Sequence, residues 1–336
     1  MKELLIIPLL ISFFLALIFI PKWIRKCRQA GLLWEDMNKP EHLKNVASSG
    51  GLVVVMSFSL GILSYIAIRT LFLNQTGITL NIFALLSVIL ILAIIGLTDD
   101  LLGWHHGGLS VKLRLFLLIM ASIPLVVINA GNSELNIPLL GNINLGWIYP
   151  IIIIPLGVAG ATATYNFLAG FNGLEAGQGI IIISFLSFVA YATGSSWLAL
   201  VGGVMVVALI VFYFYNKFPA KVFPGDILTY SIGALIAGMA ILGNFEKIAL
   251  FIFVPYIIET ALKLRGRLKK QSFGLPEKDG LKMPYKKIYG LTHLAILMLS
   301  RVKKKVYEKD VVYLIFIFQI LICLLALIIF RNILFA

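Results

Sequence analysis

Charged residues, cysteines and the common catalytic signatures are scarce in this sequence. Only 13% of the 336 residues are charged, against roughly 25% in soluble proteins. The two cysteines, Cys27 and Cys323, lie near opposite ends of the chain, which excludes a disulfide framework and a cysteine zinc site. HExxH and Walker A sequences are absent, so a zinc protease or a P-loop ATPase has no support.

Long apolar runs are what the sequence has in abundance. Hydrophobic residues make up 60% of the chain, and about 20 of them in a row form a helix that crosses a bilayer. We therefore predict an all-α, polytopic membrane protein with about ten transmembrane helices in one integral membrane domain, 1–336. The predicted spans are roughly 3–21, 50–73, 80–97, 113–130, 147–165, 177–193, 197–215, 227–243, 247–263 and 311–331. The first has no small-residue cleavage site after it, so we expect it to remain as a span.

The distribution of basic residues predicts the orientation in the membrane. An even number of spans leaves five loops on one side, namely 22–49, 98–112, 166–176, 216–226 and 264–310. With a residue or two of slack at their ends, these loops hold 24 of the 28 Lys and Arg residues. Because cytoplasmic loops are rich in Lys and Arg, we predict that they form a cytoplasmic active-site face and that both termini lie on the other side. The net charge of +13 then indicates topology rather than nucleic-acid binding.

A polar, glycine-rich stretch interrupts the apolar pattern at residues 164–178, which read TYNFLAGFNGLEAGQ. It contains Asn166, Asn172 and Glu175 between two runs that are long enough to span. Amide oxygens and glycine-exposed backbone suit an oxyanion-rich ligand or a hard metal ion. A short turn between helices would use the same residue types, so the stretch by itself fits either interpretation.

Three acids lie at the cytoplasmic ends of predicted spans. Asp99 and Asp100 end the third span, where a carboxylate is costly unless a cation pairs with it; Lys112 and Arg114 are the nearest cations in sequence. Solvated charges at a helix end are the alternative for this pair. Asp226 opens the eighth span, and capping of the helix N-terminus is the alternative for it.

The first loop adds polar residues to the same face. Asp36, Asn38 and Lys39 lie in WEDMNKP, ahead of the second span. Carboxylate and amide oxygens are ligands for Mg²⁺, and Lys and Arg bind phosphate. Together with the other acids and amides, these residues are what a site needs to bind a diphosphate through a divalent metal.

These motifs resemble those of the polyprenyl-phosphate N-acetylhexosamine-1-phosphate transferases, over most of the chain. The most specific match, NFLAGFNGLEAGQ, resembles the archaeal and eukaryotic branch, the UDP-GlcNAc:dolichyl-phosphate GlcNAc-1-phosphotransferases. DMNKP, the pair Asp99 and Asp100, Lys112 after LSV, and PGD at Asp226 follow in the order of the family. The family's ten spans with both termini outside also agree with the predicted topology.

The resemblance implies a role for each motif residue. It implies Mg²⁺ ligation by Asn166 and Asp226, with Mn²⁺ as an alternative metal, and phosphate positioning by Lys112. It also implies contact of Asn172 with uracil and a catalytic role for the acid pair at the lipid phosphate. Asn38 and Lys39, in the family's first-loop motif, are further substrate-binding candidates.

Two departures from the family pattern concern substrate recognition. The last loop lacks the histidine triad of bacterial members and the basic PRHR-like segment of eukaryotic ones, and reads RGRLKKQSFGLPEKDG. We predict that Lys269 and Lys270 contact the pyrophosphate, with Arg265 and Arg267 as alternatives. Ser48 stands where eukaryotic members have a glutamate before the second span.

The resemblance predicts a cell-membrane enzyme that transfers GlcNAc 1-phosphate, or a related HexNAc 1-phosphate, from a UDP-sugar to polyprenyl or dolichyl phosphate. UMP is the second product, and the step begins lipid-linked glycan synthesis. A phosphate monoester with a second pKa of about 6 is mostly a dianion at pH 7, so we expect the acid pair to position substrates rather than act as a base. A covalent aspartyl intermediate is the less favoured route. The alternative function is a transporter or flippase for an anionic lipid or nucleotide sugar, and the oligomeric state is open between monomer and homodimer.

Overall fold

The computed structural model describes residues 2–41, 44–137, 141–277 and 280–335. The α-helices are α1 (Ile7–Ala30), α2 (Gly51–Ala67), α3 (Thr79–His106), α4 (Val111–Met120), α5 (Ile123–Val127), α6 (Ile154–Phe167), α7 (Leu174–Ala192), α8 (Ser196–Asn216), α9 (Gly225–Gly243), α10 (Glu246–Ile252), α11 (Val254–Arg265), α12 (Leu291–Val302), α13 (Glu308–Ile329) and α14 (Arg331–Leu334). A 3₁₀ turn covers Lys2–Ile6, and π-helical turns cover Ile68–Phe72 and Tyr149–Ile153. The all-α fold class is therefore confirmed.

Short antiparallel hairpins occur only in connections within the described chain. They pair β1 (Leu33–Glu35) with β2 (Lys44–Ala47), β3 (Glu134–Ile137) with β4 (Gly141–Asn144), and β5 (Leu275–Glu277) with β6 (Gly280–Lys282). The first and third belong to the predicted first and last loops on the basic face. Each hairpin shortens a long connection and brings its two ends together.

Every predicted span coincides with helix, and among the described residues eight helical segments are long and apolar enough to cross a membrane. These are Leu4–Ala30, Gly51–Phe72, Thr79–Gly103, Tyr149–Phe167, Leu174–Ala192, Ser196–Asn216, Gly225–Gly243 and Glu308–Ile329. The predicted spans 113–130 and 247–263 are each divided, into α4 with α5 and α10 with α11. A multi-pass membrane protein is confirmed, whereas the count of ten and the side of the termini remain predictions.

Proline explains where the two divided segments break. Pro124 and Pro255 each stand in the first turn of the following helix, α5 and α11. Proline has no N–H to donate to the preceding turn, so a helix usually ends before it and a new one begins. Hydrophobicity continues across both breaks, which is why the apolar pattern alone predicts single spans.

Helix α9 lies at the centre of the bundle. Its side chains from Ile227 to Ile241 are all buried, and it packs against α2, α3, α6 and α7. Gly96 of α3 allows a close approach to the start of α9, because a Cβ there would lie 2.6 Å from the carbonyl carbon of Asp226. The contact brings the C-terminal part of α3 against the first turn of α9.

Candidate active site

A cavity of about 320 Å³ opens where the five predicted loops converge. Its lining comprises Trp34, Glu35, Asp36, Met37, Ser48, Asp99, Asp100, Gly103, Gly107, Gly108, Arg114, Asn166, Ala169, Gly170, Phe171, Glu175, Phe223, Pro224, Gly225, Asp226, Thr229 and Phe273. Each of the five loops, or a helix end next to it, contributes at least one residue. Four predicted site residues, the three acids and Asn166, are in this lining.

The acid Asp99 is buried and fully engaged. It lies inside α3, which continues to His106, and only 4% of its surface is exposed. Its Oδ2 is 2.6 Å from Nη2 of Arg114 and accepts the Tyr230 hydroxyl at 3.2 Å, while Oδ1 accepts the Leu109 N–H at 2.7 Å. The solvated helix-end alternative is therefore wrong for Asp99, and the expected cation is Arg114.

Asp100 contacts the start of α9. Its Oδ1 accepts the backbone N–H of Asp226 at 2.8 Å, and its Oδ2 accepts the Ser49 hydroxyl at 3.0 Å. The capping alternative for Asp226 is wrong, because α9 has no side-chain cap of its own and the carboxylate at its N-terminus comes from Asp100. Gly225 has a φ of 71°, and a Cβ at this position would collide with Asp100 Oδ2.

Asn166 and Asp226, the predicted metal ligands, line the same cavity as the acid pair. Asn166 lies in the last turn of α6, and its Oδ1 accepts the Thr229 hydroxyl at 3.0 Å. The carboxylates of Asp99, Asp100 and Asp226 and the guanidinium of Arg114 line the cavity together with Asn166. Carboxylate oxygens are hard donors, and their negative charge exceeds the single positive charge of Arg114, which fits Mg²⁺. No group of three or more acidic, histidine or cysteine ligands occurs in the described residues. Mg²⁺ is commonly held by one or two protein ligands, with phosphate and water completing its shell, and Asn166 and Asp226 could supply such ligands.

Asn172 is buried behind the cavity wall rather than in the lining. It is 4% exposed and follows Phe171, which is in the lining. Its backbone N–H donates to Glu308 Oε1 at 2.7 Å. Its Nδ2 donates to Asp36 Oδ2 at 3.0 Å and to Glu308 Oε2 at 3.3 Å.

Asn38 and Lys39 hold loops together. The Asn38 Nδ2 donates to the Gly170 carbonyl at 2.8 Å, and its Oδ1 accepts the Gly274 N–H at 3.1 Å. Lys39 Nζ lies 2.8 Å from Asp36 Oδ2. The Asn38 contacts join the first loop to the third and the last, and Lys39 Nζ also lies 5.8 Å from the ring centroid of Phe218 in the fourth loop. Both residues lie outside the lining of the cavity.

The predicted phosphate lysines are not among the residues that line the cavity. Lys112 and Lys269 are exposed, and Lys270 Nζ lies over the rings of Tyr285 and Tyr289, at 4.8 and 5.9 Å from their centroids. Among the described lining residues the basic side chain is Arg114. The roles of the three lysines in phosphate binding remain predictions.

Sequence reasoning named Arg114 as a partner for the acids but omitted it from the site. Residues two apart on a helix point in nearly opposite directions, so only one of Lys112 and Arg114 could face Asp99. The two-residue spacing was therefore the sequence feature that could have identified Arg114 as a site residue. The sequence does not indicate that Glu308 contacts Asn172, because the two residues are 136 positions apart and Glu308 resembles an ordinary charged residue at the start of the last span.

Glu175 closes the turn that follows Asn166. Its Oε1 accepts the Gly170 N–H at 2.8 Å, and its backbone carbonyl accepts the Tyr165 hydroxyl at 2.6 Å. Gly170 has a φ of 103°, which favours glycine, and a Cβ there would meet the Phe273 ring at 2.6 Å. This carboxylate therefore holds the backbone of the turn beside the cavity.

Hydrogen bonds of Ser272 hold the last loop in place next to Phe273. Ser272 accepts from Lys263 Nζ at 2.5 Å, and its carbonyl accepts the Thr292 hydroxyl at 2.7 Å. His293 is fully buried in α12, outside the predicted spans, and accepts the Tyr289 N–H at 3.3 Å through Nδ1. Burial lowers the pKa of the His293 imidazole from 6.5 to about 4. The neutral imidazole is thus part of the support for this loop.

Comparison with known proteins identifies the family of this chain. Residues 82–244 match the family described as glycosyl transferase family 4. A Saccharolobus solfataricus protein is 35% identical over 87% of this chain and 88% of its own length, and one from Sulfolobus acidocaldarius is 33% identical over 91% and 90%. Both are provisionally named UDP-N-acetylglucosamine–dolichyl-phosphate N-acetylglucosaminephosphotransferase. A phospho-N-acetylmuramoyl-pentapeptide-transferase of Shouchella clausii is 32% identical over 76% of this chain and 80% of its own. This chain belongs to glycosyl transferase family 4, the relationship that its motifs predicted.

Proposed function

We propose that this protein transfers GlcNAc 1-phosphate from UDP-GlcNAc to a polyprenyl phosphate, of the dolichyl type named for two archaeal relatives, and releases UMP. The names of the archaeal relatives support both substrates. The observation that carries the proposal is the convergence of Asp99, Asp100, Asp226, Asn166 and Arg114 on one cavity at the ends of membrane helices. The basic loops around it support a cytoplasmic active site in the cell membrane.

The reaction exchanges one phosphorus–oxygen bond for another. An oxygen of the lipid phosphate attacks the sugar-bearing phosphorus of UDP-GlcNAc, and the bond from that phosphorus to the bridging oxygen breaks. The bridging oxygen leaves with UMP, and the sugar phosphate becomes part of a polyprenyl diphosphate. The attacking phosphate is mostly dianionic at pH 7, so no protein base has to remove a proton.

The contacts of the acid pair support a positioning role. Asp99 already accepts from Arg114, Tyr230 and the Leu109 N–H, and Asp100 already accepts from Ser49 and the Asp226 N–H. Both oxygens of each carboxylate therefore already have a donor, which fixes the two side chains in place. We infer that both acids set the geometry of the cavity, and that Arg114 offsets part of their charge near the phosphates.

Asn166 and Asp226 would hold Mg²⁺, with Mn²⁺ as the alternative. When bound, the ion neutralises the diphosphate and stabilises the leaving UMP. Thr229 fixes the orientation of the Asn166 amide by donating to its Oδ1, and Asp100 fixes the backbone at Asp226. The chain thereby sets both ligands before the substrate arrives.

A transporter or flippase is supported less well. Two buried glutamines within the spans form hydrogen bonds between helices. Gln178 donates to the Ile315 carbonyl at 3.4 Å, and Gln319 donates to the Ile252 carbonyl at 2.9 Å. Both amides therefore join α13 to neighbouring helices.

The test is metal-dependent release of UMP by the purified full chain from UDP-GlcNAc and dolichyl phosphate. We expect release that stops with a chelator and returns with Mg²⁺, together with a lipid-linked sugar diphosphate in the organic phase. Asp226→Asn is the matched variant and should need more Mg²⁺ for the same rate. A protein that binds both substrates yet releases no UMP with metal present would overturn the proposal, and uptake of intact UDP-GlcNAc into vesicles would favour the transporter.

A further inference from the structure

Helix α12 carries an apolar stripe that the protein covers only in part. Leu291, Ala295, Met298 and Val302 are spaced by four, three and four residues, which places them on one face of the helix. Leu291 and Ala295 are 5% and 4% exposed, whereas Met298 and Val302 are 51% and 86% exposed. The stripe therefore begins against the core and continues beyond it, so that its second half faces the surroundings of the protein.

Basic residues stand beside the exposed half of this stripe. Every residue from Ser300 to Lys305 is exposed, and the run contains Arg301 and three consecutive lysines. Lys303 pairs with Asp310 at 2.8 Å, and its side chain is still 49% exposed. Residues 298–305 thus form one surface, the α12 patch, in which cations adjoin exposed apolar side chains.

The α12 patch lies next to a membrane-spanning segment. Helix α13 begins at Glu308 and is long and apolar enough to cross a membrane. Lys304 is four residues ahead of Glu308, so the Cα atoms of these two residues are at most about 14 Å apart. Anionic headgroups attract basic residues beside a membrane-spanning helix, over a Debye length of roughly 10 Å. The position of the patch therefore exposes its cations to this attraction.

The residues between the patch and α13 are fixed to the protein. The Val306 carbonyl accepts the Leu281 N–H of the β5–β6 hairpin at 2.7 Å. Glu308 Oε1 accepts the Asn172 N–H at 2.7 Å. Val306 and Glu308 are both buried. A contact between the patch and the membrane would therefore also hold the last loop, with its hairpin, against the membrane surface.

We propose that the α12 patch binds the headgroups of anionic phospholipids. Arg301 and Lys304 contact the negative charges, and Met298 and Val302 enter the apolar side of the membrane interface. The partner is a lipid surface rather than a soluble anion, because a soluble anion would leave the exposed apolar stripe uncovered. The contact is separate from the acid cavity and does not depend on the identity of the substrates.

A fluorescent label on the patch tests this contact directly. Val302→Cys introduces the thiol for an environment-sensitive fluorophore, and the native cysteines Cys27 and Cys323 are both buried. The labelled full chain is placed in nanodiscs of phosphatidylcholine, with or without phosphatidylglycerol. We expect brighter, blue-shifted emission with phosphatidylglycerol, and loss of the shift in about 1 M salt, where the Debye length is about 3 Å.

Paired substitutions separate the patch from the general charge of the basic face. Arg301→Gln with Lys304→Gln should remove most of the shift, because each cation beside an anionic surface strengthens binding about fivefold. Lys286→Gln with Lys287→Gln is the matched control. Both lysines are exposed in the same loop, and the charge change is equal, but the apolar residues next to them, Tyr285 and Ile288, are partly buried. The control should keep the shift.

Three results would overturn the inference. The first is equal emission from the labelled chain in the two kinds of nanodisc. The second is a shift that survives Arg301→Gln with Lys304→Gln, and the third is an equal loss of the shift in the control. The measurement uses neither UDP-GlcNAc nor a lipid phosphate, so a failure of the proposed function leaves its outcome unchanged.

Discussion

Asp100 on α3 accepts the backbone N–H of Asp226 on α9 at 2.8 Å, across 126 positions of sequence. A carboxylate at a helix N-terminus satisfies an N–H that has no partner inside the helix and interacts favourably with the helix dipole. Here the cap comes from a neighbouring helix and binds the backbone N–H of Asp226, which is itself a predicted metal ligand. Stability of the α3–α9 contact and geometry of the site therefore depend on the same side chain.

Loss of this cap should lower stability as well as activity. Asp100→Ala is expected to cost about 1 kcal/mol of folding free energy, the usual cost of losing an N-cap, and to reduce UMP release. Asp226→Asn keeps the backbone N–H and the cap, so it should reduce activity with little change in thermal unfolding. Thermal unfolding in detergent beside the UMP assay checks both variants. Equal unfolding temperatures for Asp100→Ala and wild type would contradict the capping role.

Removal of Arg114 should leave Asp99 buried without its cation. Removing one partner of a buried ion pair typically costs about 3–5 kcal/mol, and partial exposure of Arg114 places Arg114→Met at or below the lower end of that range. Lys112→Met, two residues away and exposed, should change the free energy of unfolding by less than about 0.5 kcal/mol. Denaturation of both variants gives the comparison. A similar loss of stability in both variants would show that the ion pair of Arg114 with Asp99 does not stabilise the fold.

Asp99→Asn tests positioning against proton transfer. The amide keeps the size of the side chain but cannot pair as an anion with Arg114, so activity should fall at pH 7 and remain low at pH 9. A general base would give another result, because free hydroxide and a fully ionised lipid phosphate would compensate at high pH. UMP release across that pH range is the measurement. Recovery of the rate at pH 9 would argue for a base.

His293 should make the protein less stable in mild acid. Its pKa is about 4 in the folded chain and about 6.5 when unfolded, so between these values the unfolded state binds the extra proton. The stabilisation is complete above pH 6.5, falls by about 2 kcal/mol at pH 5, and is lost near pH 4. His293→Asn should unfold with a shallower pH dependence than wild type over this range. The same dependence of stability on pH in both proteins would contradict the low pKa of His293.

Gly225 should not accept a side chain. Its φ of 71° strains other residues by about 1–3 kcal/mol, and a Cβ would displace Asp100 Oδ2. Gly225→Ala is expected to lower both stability and UMP release. Gly160→Ala is the control, because this position lies inside α6 with no heavy atom within 4 Å of a new Cβ. Alanine there should be neutral or stabilising by up to about 1 kcal/mol.

The membrane helices and the chemistry of the site could be predicted from local patterns, but the pairing of side chains could not. Apolar length located the helices, and the placement of Lys and Arg grouped Asp99, Asn166 and Asp226 on one face. Hydrophobicity does not show that α3 continues past the acids to His106. Nor can it pair Asp99 with Tyr230 or Asn172 with Glu308, contacts that arise only when helices more than a hundred residues apart pack together.

Within the last loop, the segment between Gly274 and Leu291 is held at both ends. Gly274 donates to Asn38 Oδ1 at 3.1 Å, and the Leu291 N–H donates to Glu259 Oε2 at 2.5 Å. Residues 275–289 lie between these anchors, while Phe273, which lines the cavity, lies outside them. The two anchors therefore define graft boundaries for chimeras, in which relatives can donate residues 275–289 while the acid cavity stays in place.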